Sequence, residues 1–281
     1  MSRQAIEQLD DHAAQPRHVV AQKVLRDGLV MARALGEASA HETRLSVARG
    51  FTYEAMDAFW RRRRAASDST CNIHPLHVNI ERSSLSDSAI GLARAIGGAA
   101  AELGSMDASY ALGVVYTTMM PGKVRADFGA YYTPPALCER LLDMATEAGT
   151  DWSTARVLDP ACGGGAFLAP VARRMAESLS SCSNRIALKN IVRRLRGFEL
   201  DPFSAWMSHV FLEDTLFDLC LSARTRLHEV VSVCDSLTQQ PDSEGFDLVI
   251  GNPPYGRVSL DPATRERYRR SLFGHANLYG V

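Results

Sequence analysis

The chain lacks most of the marks that sort a protein at a glance. None of its six cysteines, Cys71, Cys138, Cys162, Cys182, Cys220 and Cys234, stands in a CxxC pair. That argues for reduced thiols in a cytoplasmic setting rather than a disulfide framework. Cys71, His74 and His77 fall close together, but no further ligand follows at metal-binding spacing. Met1 to Asp11 is polar and acidic, unlike a secretory signal. No apolar run reaches membrane-spanning length; the small-residue stretch from Gly91 to Gly104 carries Arg94 and Glu102. A charge bias is missing too. Lys and Arg number 31 against 32 Asp and Glu, a net charge of −1, so nucleic-acid contact must come from local patches. Finally, neither GxGxxG nor a GK[ST] loop is present, which removes the usual dinucleotide fingerprint and the P-loop.

What is present fits one large globular domain or two modest ones: 281 residues, 46% hydrophobic and 22% charged. Residues 1 to about 65 have helical spacing, with Ala5, Leu9, Val19, Val20, Val24, Leu25, Leu29 and Val30 recurring between polar residues. The section closes on Arg61-Arg62-Arg63-Arg64, either a phosphate-contacting patch or a helix C-terminus complementing its dipole. Residues 65 to 90 read as a connection and 86 to 118 as further helix, where Gly97, Gly98 and Ala99 to Ala101 permit close packing. Pro121-Gly122 breaks that run, and a domain boundary is expected near residue 125. The division predicted is a helical region over 1–125 and a catalytic domain over 126–281.

Beyond the boundary strands alternate with helices. Thr133 is a plausible N-cap, with Pro134 at the first helical position. Strands are predicted at Arg156–Leu158, Leu195–Phe198, Val230–Cys234 and Phe246–Ile250. Helices are predicted at about 165–179 and 202–220, with an added helical or loop segment over 180–194. This alternation implies a mostly parallel sheet covered by helices.

Each strand ends in chemistry. The first runs into Asp159-Pro160-Ala161-Cys162-Gly163-Gly164-Gly165, where three glycines let backbone N–H groups approach a ligand. The second ends at Glu199, suited to accept both hydroxyls of a ribose, with Asp201 as a rival. The third ends at Asp235, which could accept from an exocyclic amine. Three acids at successive strand ends behind a glycine-rich turn describe a nucleoside site. A cofactor with an amino-acid tail in place of phosphates would want amides and hydroxyls, and Tyr131-Tyr132-Thr133 offers them. The fourth strand ends in Asn252-Pro253-Pro254-Tyr255, where the prolines stop the ladder and hold Asn252 extended.

Taken in order, these motifs resemble the gamma class of N6-adenine DNA methyltransferases of restriction–modification systems. The resemblance covers residues 126 to 281 and begins at Phe128-Gly129-Ala130-Tyr131-Tyr132-Thr133-Pro134. It implies a Rossmann-like α/β core that uses S-adenosyl-L-methionine. It further implies that Tyr131, Tyr132 and Thr133 hold the methionine end of the cofactor, with Asp159, Ala161, Cys162, Gly163 and Gly165 lining the same part. By the same resemblance Glu199 binds the ribose, and Asp235 with Leu237 the cofactor adenine. Asn252 and the Pro253 carbonyl would grip the target amine, with Pro254 stiffening the turn and Tyr255 stacking on the base. The implied partners are duplex DNA with a flipped adenine and a specificity or restriction subunit or domain. No cysteine nucleophile is needed, so Cys162 is expected to be structural. Arg265, Arg267, Arg269 and Arg270 either contact phosphates or form a solvated helix face. Asn277 to Val281 resembles the start of a further motif of the class, so the sheet is expected to be incomplete at its carboxyl end. Two rivals share the Asn-Pro-Pro-Tyr turn or the fold: an N-methyltransferase acting on protein glutamine or RNA, and a non-catalytic cofactor- or DNA-binding fragment.

Overall fold

A computed structural model describes residues 17–65, 71–76, 80–240 and 244–253, together with Pro262 and Glu266. The chain divides into two compact units, Met1–Asn72 with Ser83–Met119, and Ile73–Arg82 with Met120–Val281. Residues 73–82, expected as part of a connection, therefore belong with the second unit.

The first unit is helical: α1 (Arg17–Ala38), α2 (Arg44–Arg64), α3 (Asp87–Ala100) and α4 (Ser105–Met119). Ser86 caps α3 by accepting from the Ala89 N–H at 3.3 Å. The core is large and aromatic, with Phe51, Met56, Phe59 and Trp60 of α2 buried along with Ile96, Leu112, Tyr116 and Met119. The four arginines at the end of α2 are engaged within this unit. Arg61 pairs with Asp57 at 2.9 Å and Arg62 with Glu102 at 2.8 Å. Arg63 and Arg64 lie over the rings of Phe59 and Trp60. They complete the helix end with partners inside the unit, while Arg61 and Arg62 keep most of their side-chain surface exposed.

Of the small residues in α3, Gly97 sets the helix spacing. A Cβ there would stand 2.0 Å from the Ala55 carbonyl oxygen, whereas one on Gly98 would meet nothing within 4 Å. Gly97→Ala should therefore destabilise this unit by about 1–3 kcal/mol, as overpacking does. Gly98→Ala should be neutral or stabilising by about 0.4–1 kcal/mol. Denaturant titration of the two variants checks this, and equal stability would refute the contact.

The second unit contains α5 (Gly122–Asp127), α6 (Pro135–Glu147), β1 (Val157–Asp159), α7 (Leu168–Ser178), α8 (Asn184–Arg194) and β2 (Leu195–Glu199). It continues with α9 (Pro202–Thr215), α10 (Phe217–Ala223), β3 (Val231–Val233) and β4 (Leu248–Val249). All strand pairings are parallel, in the order β3-β2-β1-β4. Val157 of β1 pairs with Leu195 on one side and Leu248 on the other, and Gly197 of β2 pairs with Val231.

The core joins Val157, Leu168, Val171, Met175, Leu188, Ile191, Leu195 and Leu212 from strands and helices. Every residue of α9 from Phe203 to Asp214 is buried, the mark of a helix enclosed on all sides. That helix starts sharply because Asp201 accepts from the N–H groups of Phe203 and Ser204, both at 3.2 Å, and Pro202 follows at the first helical position. Asp201 is thereby occupied as a cap, which leaves Glu199 as the acid at the end of β2.

Several boundaries differ from the sequence expectation for physical reasons. The helix after the glycine loop begins at Leu168, because Gly163 and Gly165 take positive φ of 53° and 85° and continue the turn. The segment 202–220 is two helices that meet at Leu216. Thr133 is not an N-cap: α6 starts at Pro135 with Pro134 as its cap residue and no side-chain cap bond. No helix among the described residues is long and apolar enough to cross a membrane.

Candidate active site

The carboxyl edge of the parallel sheet carries, in spatial order, Asp235 after β3, Glu199 of β2, Asp159 of β1 and Asn252 after β4. Three strand intervals separate the ends of this row, about 14 Å at ordinary strand spacing. Ligands of open parallel sheets bind along this edge.

Asp159 is fully buried, and its Oδ1 accepts from the Ala161 N–H at 3.1 Å. Burial pushes its carboxyl up to about 7; the Ala161 bond opposes that shift and the nearby Glu199 charge adds to it. Glu199 is also buried, and its two oxygens accept from the Gly163 and Asp201 N–H groups, each at 2.8 Å. Burial raises it too to about 7, against the pull of those N–H groups. Each Glu199 oxygen keeps a second lone pair for a hydroxyl donor. Asp235 is exposed and accepts from the Leu237 N–H at 2.9 Å.

The glycine loop is tied to the sheet by the Cys162 N–H, which donates to the Phe198 carbonyl at 2.9 Å. Cys162 is buried, and burial raises its thiol well above the ordinary range, so it is no thiolate nucleophile. Tyr132 lies against this loop: a Cβ on Gly164 would come within 2.2 Å of its hydroxyl oxygen. Burial, with the charge of Glu199, raises the Tyr132 phenol far above its usual value. Tyr131 is half exposed, its ring 5.9 Å from the Arg125 guanidinium.

Asn252 reaches the same place because β4 is fastened to β1. The Ile250 N–H donates to the Leu158 carbonyl at 2.9 Å, and Asp247 accepts from the Arg156 N–H at 2.7 Å. The Asn252 Nδ2 group then donates to Thr133 Oγ1 at 3.2 Å. With Nδ2 so placed, Oδ1 makes no hydrogen bond among the described residues and is available as an acceptor.

Of the residues singled out in the sequence, the fold gathers Tyr132, Thr133, Asp159, Ala161, Cys162, Gly163, Gly165, Glu199 and Asn252 at this edge. Asp235 and Leu237 lie one strand further along the edge, and Pro253 is exposed beside Asn252. Pro254 and Tyr255 lie outside the described residues, as do His77, Arg265, Arg267, Arg269 and Arg270. Missed altogether were the Thr133–Asn252 bond and Gly251, where a Cβ would stand 2.5 Å from Asp159 Oδ1. Neither contact has a local signal, since each joins residues far apart in the chain.

A parallel sheet in the order β3-β2-β1-β4, a glycine-rich first turn and acids at successive strand ends define a Rossmann-like methyltransferase core. The family model for N-6 DNA methylases matches residues 110–277, and the chain belongs to that family. It is similar to the Type II methyltransferase M.CvrRI of Paramecium bursaria Chlorella virus XZ-6E, 32% identical over 133 residues, 47% of this chain and 26% of that protein. It is also similar to the Type II methyltransferase M.PaeR7I of Pseudomonas aeruginosa, 29% identical over 161 residues, 54% of this chain and 28% of that protein. The matched stretch thus spans little more than a quarter of each relative. In fold it resembles a chain of the cryo-electron-microscopy structure of a DrdV–DNA complex, with a TM-score of 0.53 and 14% identity. That likeness covers 92% of this chain and 32% of the other.

Proposed function

We propose that this chain transfers the methyl group of S-adenosyl-L-methionine to N6 of adenine in DNA, within a restriction–modification system. The observation that carries the reading is the orientation of Asn252. Its Nδ2 is held by Thr133 Oγ1, so Oδ1 is presented as an acceptor next to the edge where a nucleoside cofactor binds. The adenine N6 lone pair is delocalised into the ring and is a poor nucleophile. An acceptor aimed at one N–H, with the Pro253 carbonyl at the other, localises that pair and stabilises the positive charge developing on nitrogen. The methyl then needs only in-line approach.

The residues of the edge fit this cofactor. Buried carboxylates at Asp159 and Glu199 suit a ligand that brings hydroxyl donors and a sulfonium charge. At Gly163 a Cβ would meet nothing within 4 Å, so the loop leaves room there for close approach, while Gly165 lets it pack against Ser208. Glu199 would accept from the ribose, Asp235 and Leu237 would face the cofactor adenine, and Tyr131, Tyr132, Thr133, Ala161 and Cys162 would surround the methionine end. Pro254 and Tyr255 would complete the target pocket. Membership of the N-6 DNA methylase family supports the substrate, as do relatives named Type II methyltransferases.

Incubation with methyl-labelled cofactor should put label into duplex DNA, recovered as N6-methyladenine after nucleoside digestion. Label in a glutamine-bearing protein and none in DNA would overturn the assignment of substrate. Label in neither, with cofactor bound, would overturn the assignment of activity.

A further inference from the structure

A second cluster of ligating side chains lies on the far part of α9. Trp206, His209 and Glu213 recur at three- and four-residue spacing and so share one face of the helix. That face grips the segment 71–76 at His74: Trp206 Nε1 donates to the His74 carbonyl at 2.7 Å, and the two imidazole centroids are 4.0 Å apart. His74 Nδ1 stands 3.6 Å from Glu213 Oε2. One ligand atom from each of His74, His209 and Glu213 lies within 4.8 Å of the others.

The telling atom is His209 Nε2. His209 is 6% exposed, and its Nε2 is buried without a hydrogen-bond partner. A buried ring nitrogen without a partner loses its solvation for nothing in return, which calls for an occupant.

We propose that His74, His209 and Glu213 bind a divalent transition-metal ion of the zinc class, bracing the segment around His74 against α9. Two imidazoles and one carboxylate form a donor set suited to Zn²⁺, with water completing a tetrahedron. Ligand atoms on such an ion are roughly 3.3 Å apart, given bonds of about 2.0–2.1 Å. The cluster needs only to tighten, because α9 already holds two of the three ligands one turn apart. Arg226 Nη2 donates to Glu213 Oε2 at 2.6 Å, and its Nε donates to Oε1. A carboxylate oxygen has two lone pairs, so the guanidinium can orient Glu213 while a metal takes another. The sequence grouping of His74 with Cys71 and His77 missed this set, because two of its ligands come from a helix far along the chain.

The test uses the full chain without an affinity tag, stripped with chelator and titrated with Co²⁺ and then Zn²⁺. One equivalent should bind, with visible d–d absorption for Co²⁺ and a raised Tm for Zn²⁺. His74→Ala and His209→Gln should each weaken binding by at least the ~10–100-fold that loss of an outer-shell partner costs. If His209→Gln does not fold, His74→Ala carries the test, since His74 lies on an irregular segment. Absence of stoichiometric binding overturns the proposal. So does unchanged affinity in His74→Ala, because the metal would then sit on the cysteines, which that variant keeps.

Discussion

Replacing Asn252 by alanine should lower methyl transfer by at least about 10²–10³-fold, the usual cost of removing one preorganised hydrogen-bonding group from a transition state. Cofactor affinity should stay nearly unchanged. Asn252 follows β4, and its amide is pinned by Thr133 at 3.2 Å. The alanine variant removes the acceptor for the amine but touches none of the groups around Glu199. Asn252→Asp separates this role from simple packing. A carboxylate keeps an acceptor, and the Thr133 hydroxyl can reverse and donate to it. Activity should therefore rank wild type, then Asp, then Ala. Single-turnover transfer and equilibrium cofactor binding, measured on the same preparations, give the two readouts. Wild-type turnover in the alanine variant would remove Asn252 from the chemistry. A large loss of cofactor affinity would make it a cofactor ligand instead.

Cofactor affinity should rise with pH between 6 and 7 and level off above 7. Asp159 and Glu199 both stand at about 7 in the ligand-free fold, raised first of all by burial. Below that pH they are protonated. A sulfonium ion and hydroxyl donors favour the ionised acids, so binding must expel protons. Affinity then increases by up to about tenfold per pH unit for each proton released. The demethylated product, an uncharged thioether, should show a weaker rise. Calorimetry in buffers of different ionisation enthalpy counts the protons directly, and a pH-independent affinity from 6 to 8 would contradict the linkage.

The same acids act on folding. A carboxylate with a raised folded pKa is better protonated in the fold than in the unfolded chain, so its contribution falls as pH rises from about 4 to 7. Asp159 and Glu199 are raised to about 7 from ordinary values of 3.8 and 4.5. At 1.36 kcal/mol per unit that is roughly 4 and 3 kcal/mol at most. His209 opposes them. Burial lowers it to about 4 from 6.5, so it adds stability as pH rises through that interval. One acid is offset, which is why ligand linkage reports on the edge more cleanly than Tm does.

Much of the second unit was legible because its strands are short apolar runs that stop at polar residues. Val157-Leu158 stops at Asp159 and Phe198 at Glu199, and in both cases the ladder runs up to the polar residue; the ladder of β4 ends at Val249, shortly before Asn252. Helix boundaries were less legible. Gly163 and Gly165 prolong a turn that composition alone would pass into a helix. Contacts that depend on close approach left no local trace. Gly97 against Ala55, Gly164 against Tyr132 and Gly251 against Asp159 are each ordinary glycines in the sequence, and only the facing atom makes them necessary.

The sequence by itself determined the kind of residue at each strand end, since an apolar run can hold only so many residues before it must present a polar group to water or ligand. It could not determine their order in space. Along the chain the acids come as Asp159, Glu199 and Asp235, with Asn252 last. In the fold β4 returns past β2 and β3 to pair with β1, so Asn252 lies beside Asp159 and far from Asp235. That placement rests on the backbone bond from Ile250 to Leu158 and on the grip of Asp247 on Arg156. Parallel pairing requires crossovers, and which edge a strand joins is settled by long-range hydrogen bonds and helix packing rather than by its own residues. The Asn252 amide and the buried acids Asp159 and Glu199 come to share one edge only through that choice.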